Sequence, residues 1–181
     1  MLIAFLRKLR ITVERANVDI YDYYPKIDIG TIIATQEGPF IHQKYSEQTN
    51  NDIYHVRDSW GRFRRHKHSA VFFETLESAI KDKSDLDRLK FEDPKDPSRY
   101  VSLGQREKEI HNRFAPVSGV MGLFMPCWYL RGEVPFLMDI AEDEKFCHAL
   151  VDKVMNFQLI VGEEVLRRTN TWDTAIWVYD S

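Results

Sequence analysis

Residues 115–181 read "APVSGVMGLFMPCWYLRGEVPFLMDIAEDEKFCHALVDKVMNFQLIVGEEVLRRTNTWDTAIWVYDS", and their order of patterns sets the fold class. The opening "APVSGVMGLF" is small and apolar with two glycines. It predicts a buried strand running into a loop where backbone approaches a ligand or a neighbour. "PCWYLRGEVPFLMDIAE" predicts one or two short helices. "DEKFCHALVDKVMNFQLIVGEEVLRRT" predicts a long one. Phe146, Leu150, Val154, Phe157, Val161 and Val165 recur there every three or four residues, and Arg167 and Arg168 complement its C-terminal dipole. "TAIWVYDS" is a second apolar run. Strand, helices, long helix, strand is a βαβ unit, and both strands have the continuous apolar character of buried parallel strands.

Upstream, "YYPKIDIGTIIAT" is a β-rich run carrying Ile27, Ile29, Ile32 and Ile33 between Pro25 and Gly30. From residue 39 to 69 apolar and polar residues alternate. Thr49-Asn50-Asn51-Asp52 and Asp58-Ser59-Trp60-Gly61 are turn chemistry, which predicts a β-meander of two or three short strands. A helix start follows, with Ser84 as N-cap, Asp85 and Asp87 in the first turn, and Leu86 and Leu89 facing inward. The prolines of "DPKDPSRY" break the chain before a helix through "YVSLGQREKEIHNRF", which Gly104 weakens. The chain thus divides into an early strand and meander (20–75), a helical linker region (76–114) and the βαβ part (115–181), within one domain.

A chain of 181 residues suffices for one hydrophobic core. A formal charge of −3 supplies no electrostatic reason for binding nucleic acid or an anionic membrane. The one dense basic stretch, Arg62 to His68, reads as a solvated hairpin face. Two cysteines, Cys127 and Cys147, make no disulfide framework and fit no zinc module, which predicts a reduced, cytoplasmic protein. "MLIAFLRKLR" is interrupted by basic residues, so it predicts a short amphipathic helix rather than a signal peptide. No segment has the roughly 18 uninterrupted apolar residues of a membrane span.

In their order, "PVSGVMGLFMPCWYLRGEVPFLMDIAEDEKFCHALVDKV", the long helix and "TAIWVYDS" resemble the uroporphyrinogen decarboxylase superfamily, which joins heme-pathway decarboxylases to cobalamin-linked methyltransferases. "VRDSWGRFRR" and "EDPKDPSRY" resemble the meander and linker of the methyltransferase-like branch. The resemblance spans most of residues 20–181. It implies a (β/α)8 barrel with its site at the C-terminal mouth of the strands. Such a barrel takes about 250 residues. The expectation is therefore an incomplete TIM-type barrel with an inserted antiparallel meander, a fragment covering the front-to-middle part of the fold.

The resemblance also implies site residues. Asp180 and Ser181 occupy a strand end where the decarboxylases carry an acidic residue followed by Ser or Thr, so they are the catalytic candidates. A solvated stub is the alternative. The decarboxylases have a ligand-facing tyrosine in the turn after the first βαβ strand. Tyr129 is the nearest match and Trp128 competes with it, with aromatic packing between barrel and helix as the plain alternative. Arg131 either pairs a substrate carboxylate or is a structural cation at a helix C-terminus. Gln36 and Glu37 are further candidate ligand contacts by their position near the end of the early strand, not by the resemblance, since they match none of the family's motifs. The family's Arg-Gln-Ala-Gly-Arg pair is absent here.

The decarboxylase reading needs no cofactor. The methyltransferase reading implies zinc and a corrinoid partner, with the metal ligands beyond this chain. His66 and His68 lack a third ligand, and no metal site is assigned. The substrate is a small molecule, a tetrapyrrole or a methyl donor. Either a homo-oligomer or a missing C-terminal half would complete the barrel. The rival readings are a catalytically inactive partial barrel and a small α/β binding module.

Overall fold

The computed structural model describes residues 29–32, 37–49, 52–67, 73–104, 108 and 115–180. The helix expected over residues 1–10, Gln36, His68, Ser181 and most of the helix expected through 100–114 lie outside these residues.

The fold is mixed α/β. Strand β1 (Ile29–Ile32) comes first. Strands β2 (Tyr45–Gln48), β3 (Ile53–Arg57), β4 (Phe63–Lys67) and β5 (Phe73–Glu77) then form an antiparallel sheet in the order β2-β3-β4-β5. The expected meander is present, with four strands where two or three were read. The undercount falls on "FETLE", whose residues are all exposed and whose pattern carries no buried face.

The turn between β3 and β4 follows from its residues. The Asp58 carboxylate accepts from the Trp60 and Arg62 amides, each at 3.0 Å, and from Arg62 Nε at 2.8 Å. Gly61 takes φ +75°, a conformation that side-chain-bearing residues rarely adopt. This geometry overturns one expectation. Arg62 is buried beneath Tyr129 rather than solvated, because Asp58 neutralises it and the ring covers it.

Helix α1 (Asp85–Arg88) is one turn long. Ser84 precedes it as expected, but makes no side-chain cap. The Asp85 carboxylate instead accepts from the Lys81 and Asp82 amides. Strand β6 (Ala115–Met121) is followed by helices α2 (Phe124–Arg131), α3 (Glu133–Glu142) and α4 (Glu144–Thr169), and then by β7 (Ala175–Tyr179). Asp143 caps α4 by accepting from the Phe146 amide. All six apolar residues read from its periodicity are buried. No helix among the described residues is long and apolar enough to cross a membrane.

β1, β6 and β7 form a parallel sheet in that order, with Ile29 opposite Ala115 and Val117 opposite Ala175. The sheet is open, and no closed barrel forms among the described residues. The predicted βαβ unit is therefore present, but β7 departs from the prediction. It is exposed along four of its five residues, not buried on both faces. The core explains this. Helices α2, α3 and α4 pack with Phe40, Trp60 and Ile80 around Cys127, Leu130 and Leu150, while α4 lies on β6 with Gly162 against Val120. The flank of the sheet beyond β6 stays open.

Candidate functional site

The parallel strands converge with their C-terminal ends on one side, where three short segments meet: Glu37-Gly38 after β1, Met121-Gly122 after β6, and Tyr179-Asp180 after β7. In open parallel sheets this is where ligands bind, because the backbone leaves the sheet there and side chains from separate strands face a shared crevice.

Glu37 is the residue the fold perturbs most at this mouth. The Tyr179 hydroxyl donates to its Oε2, and the backbone amide of Met121 also turns toward its carboxylate. The other oxygen, Oε1, is buried with no hydrogen-bond partner. Burial pushes the carboxyl up to about 7, and the Tyr179 and Met121 contacts offset only part of that rise. At neutral pH the group is poised between acid and base, with one buried oxygen left without a partner.

Two glycines permit this arrangement. A Cβ on Gly38 would lie 2.3 Å from the Ser59 carbonyl oxygen, so only glycine lets the Glu37 loop run against the meander turn. Buried Arg99 holds the same loop by donating Nη1 to the Gly38 carbonyl at 2.5 Å and Nε to the Asp93 carbonyl. A Cβ on Gly122 would fall 2.4 Å from Asp180 Oδ2. That space is taken because Asp180 reaches across from β7 to the N-terminus of α2. It accepts from the Phe124 and Met125 amides, each at 2.7 Å. A carboxylate on the first free amides of a helix satisfies orphan donors and meets the positive end of the dipole. Both oxygens of Asp180 are thus occupied, and the residue ties β7 to α2 at the edge of the mouth.

The other candidates are placed elsewhere. Tyr129 lies on α2 with the Arg62 guanidinium 3.6 Å from its ring centroid and the Trp60 ring 5.8 Å away. Trp128 packs edge-on against Tyr129 at 4.5 Å. Both aromatics therefore stack on the base of the meander. Arg131 sits at the last turn of α2, about 10 Å along the helix from Phe124. It donates Nε to buried Asp139 at 2.7 Å and Nη1 to the Lys81 carbonyl at 2.5 Å. This is the structural cation of a helix C-terminus.

Of the residues named from sequence, the fold brings Glu37 and Asp180 to the mouth and places Trp128, Tyr129 and Arg131 along α2. The residue that sequence reasoning missed is Tyr179. Its signal was the strand alternation, since Trp177 and Tyr179 point to the face opposite Ile176 and Val178. Among the described residues no three His, Cys, Asp or Glu side chains converge on a metal position. Cys127 is fully buried and its thiol is pushed up to about 12, the reverse of a thiolate ligand. No family model matches the chain, and neither a curated protein nor a solved structure matches it.

Proposed function

We propose that this chain belongs to the uroporphyrinogen decarboxylase superfamily, contributes three strands of a (β/α)8-type barrel, and uses Glu37 as an acid at the mouth of those strands. The observation that carries the reading is the carboxyl raised to about 7, hydrogen-bonded to Tyr179 and left with one buried oxygen unpartnered. The strand order gives support. Each parallel strand is added on the same side of the last, β1 then β6 then β7, as in a barrel. A doubly wound sheet reverses direction after its first strands.

In tetrapyrrole decarboxylation the chemistry asked of Glu37 is proton donation to a pyrrole carbon. The ring becomes cationic, and the bond to the departing carboxylate breaks as CO2 leaves, its electron pair forming an exocyclic methylene; that carbon takes a proton from solvent to become the methyl group, and the ring carbon returns its proton to Glu37. As Glu37 loses its proton, the Tyr179 hydroxyl and the Met121 amide stabilise the carboxylate that forms. The absent arginine pair and the presence of the meander favour the corrinoid-linked methyltransferase branch instead. There zinc would activate a thiol acceptor. The described residues offer no donor set for that metal, so no step is routed through it.

The test is anaerobic incubation with uroporphyrinogen, read as coproporphyrinogen by chromatography. It runs beside an assay of methyl transfer from methylcobalamin to a thiol, each with the wild type and Glu37→Gln. The decarboxylase branch predicts product that declines as pH rises through about 7 and is lost in the variant. Methyl transfer alone assigns the other branch. No turnover in either assay, at any pH, leaves the binding-module reading in place.

A further inference from the structure

The meander carries a cavity of its own, where the antiparallel sheet meets the β3–β4 turn. It measures about 420 Å³. The register sets Ser46 beside Val56 and Val56 beside Arg64, so these three share one face of the sheet. Strand alternation adds Lys44 and Asp58 to that face. All five line the cavity, and Arg57 borders it from the end of β3. The basic run from Arg62 to His68 therefore has one of its arginines on a concave wall.

Positive charge exceeds negative charge on these walls. Asp58 is the one carboxylate among them, and it is already engaged. Its Oδ1 accepts from the Trp60 and Arg62 amides, and its Oδ2 accepts from Nε of buried Arg62 at 2.8 Å. Arg64 Nε lies 3.2 Å from the same Oδ2, yet it is buried and makes no hydrogen bond. Among the described residues that contact is the one ion pair of Arg64, and its Nη nitrogens donate to no acceptor. Nε is its one buried unpartnered nitrogen, so the Nη pair keeps access to solvent. Arg57 donates Nη1 to the Gly61 carbonyl at 2.9 Å. Its Nη2 stands 3.6 Å from Glu77, which lies nearer to Lys81 at 3.1 Å. Arg64 is also fixed in place. Its guanidinium stacks on the Phe73 ring, 4.2 Å from the centroid, with 22% of the side chain exposed. Burial pulls its proton affinity down, and Asp58 opposes that fall. A half-desolvated, stacked guanidinium with accessible donors is preorganised for an oxyanion.

We propose that this cavity binds the phosphate group of a small phosphoester, with Arg64 as the direct contact and Lys44 and Arg57 supplying the surrounding positive field. The cations arrive from three separate segments, ahead of β2, at the end of β3 and within β4. A phosphate monoester brings nearly two negative charges and three terminal oxygens, which match cations approaching from several directions. A single carboxylate would engage one guanidinium and leave the rest of the excess unanswered. Val56 and Tyr45 give the organic part of the ester an apolar wall. The reading stands independently of the chemistry assigned to Glu37.

The experiment is isothermal titration calorimetry of the full chain at low ionic strength, with inorganic phosphate as the probe and succinate as a dicarboxylate comparison. Arg64→Gln and Lys44→Gln are titrated beside the wild type. Arg65→Gln is the control, since it removes the same charge from the opposite face, where Arg65 pairs with Glu74 at 2.5 Å. The expected result is one phosphate per wild-type chain and weaker succinate. Arg64→Gln should lose about ten-fold or more in affinity, and Arg65→Gln should match the wild type. Lys44 is exposed, so Lys44→Gln keeps its fold and decides the matter should Arg64→Gln fail to fold; a loss of about three-fold is expected there. No binding heat up to about 10 mM phosphate overturns the proposal. Equal losses in Arg64→Gln and Arg65→Gln overturn it by showing diffuse attraction. Affinity unchanged in both Arg64→Gln and Lys44→Gln places the anion elsewhere, and succinate binding tighter than phosphate refutes the phosphate assignment.

Discussion

Replacing Glu37 by glutamine isolates the protonation of the strand-mouth carboxyl from every other titration in the molecule. The carboxyl has an ordinary value of 4.5 and is held at about 7 in the fold. Between those values the folded chain keeps a proton that the unfolded chain has released. Stability contributed by this group is therefore full below about 4.5 and declines as pH rises, until the folded carboxyl ionises near 7. The difference of about 2.5 pH units, at roughly 1.4 kcal/mol each, amounts to about 3 kcal/mol.

Glutamine approximates the protonated side chain and does not titrate. The stability of Glu37→Gln minus that of the wild type should thus grow by about 3 kcal/mol in favour of glutamine between pH 4.5 and 8. For a chain of this length that corresponds to roughly 6–12 °C in melting temperature. Urea unfolding of both proteins at half-unit pH steps measures it. Histidines and the remaining carboxyls cancel in the difference, because they are common to both chains. A difference that is flat with pH, or that grows toward acid, refutes the reasoning and removes the acid from the proposed site. Tyr179→Phe provides the complementary reading. It deletes a donor that favours the ionised form, so the midpoint of the pH dependence should move upward in that background.

Asp180→Ala, which strips the two amides at the start of α2 of their acceptor, should cost about 1–2 kcal/mol in urea unfolding. Gly122→Ala pushes a methyl into the space held by the Asp180 carboxylate and should cost at least as much. In an Asp180→Gly background, which removes the Oδ2, Cγ and Cβ atoms that fill this space, the same glycine change should cost far less, and additive effects would disprove the coupling. Arg131→Ala leaves buried Asp139 with Lys83 alone, at 3.2 Å, and should destabilise by about 3 kcal/mol without changing the pH dependence assigned to Glu37. In thiol labelling of the native chain, half-buried Cys147 should react first. Cys127, fully buried and with its thiol raised to about 12, should react only at the rate of unfolding; equal rates would contradict the packing described.

The elements that proved legible were those whose local pattern is also their tertiary role. The α4 stripe from Phe146 to Val165 is buried residue for residue, because a long helix on a core needs one apolar face and periodicity reports it. The glycine and aspartate turns of the meander were legible because φ and side-chain capping are local demands. β7 was misjudged for a related reason. "AIWVY" is apolar enough to be buried on both faces, but burial depends on what lies across from a strand, and periodicity contains no term for a neighbour. Arg62 was misjudged in the same way. A basic run looks solvated until Tyr129, some 67 residues away, folds over it at 3.6 Å.

By itself, then, the sequence determined a mixed α/β chain with an antiparallel meander followed by a βαβ unit, and it named Glu37 and Asp180 as residues near strand ends. Only the tertiary structure decided which of them keeps an unpartnered oxygen. Asp180 is spent on the amides of α2, whereas Glu37 is buried against Tyr179 with its second oxygen buried and without a partner. The physical reason is that a carboxyl's proton affinity is set by desolvation and by donors arriving from other strands. Those partners lie 142 residues apart in the chain and meet only when β1 and β7 share a sheet.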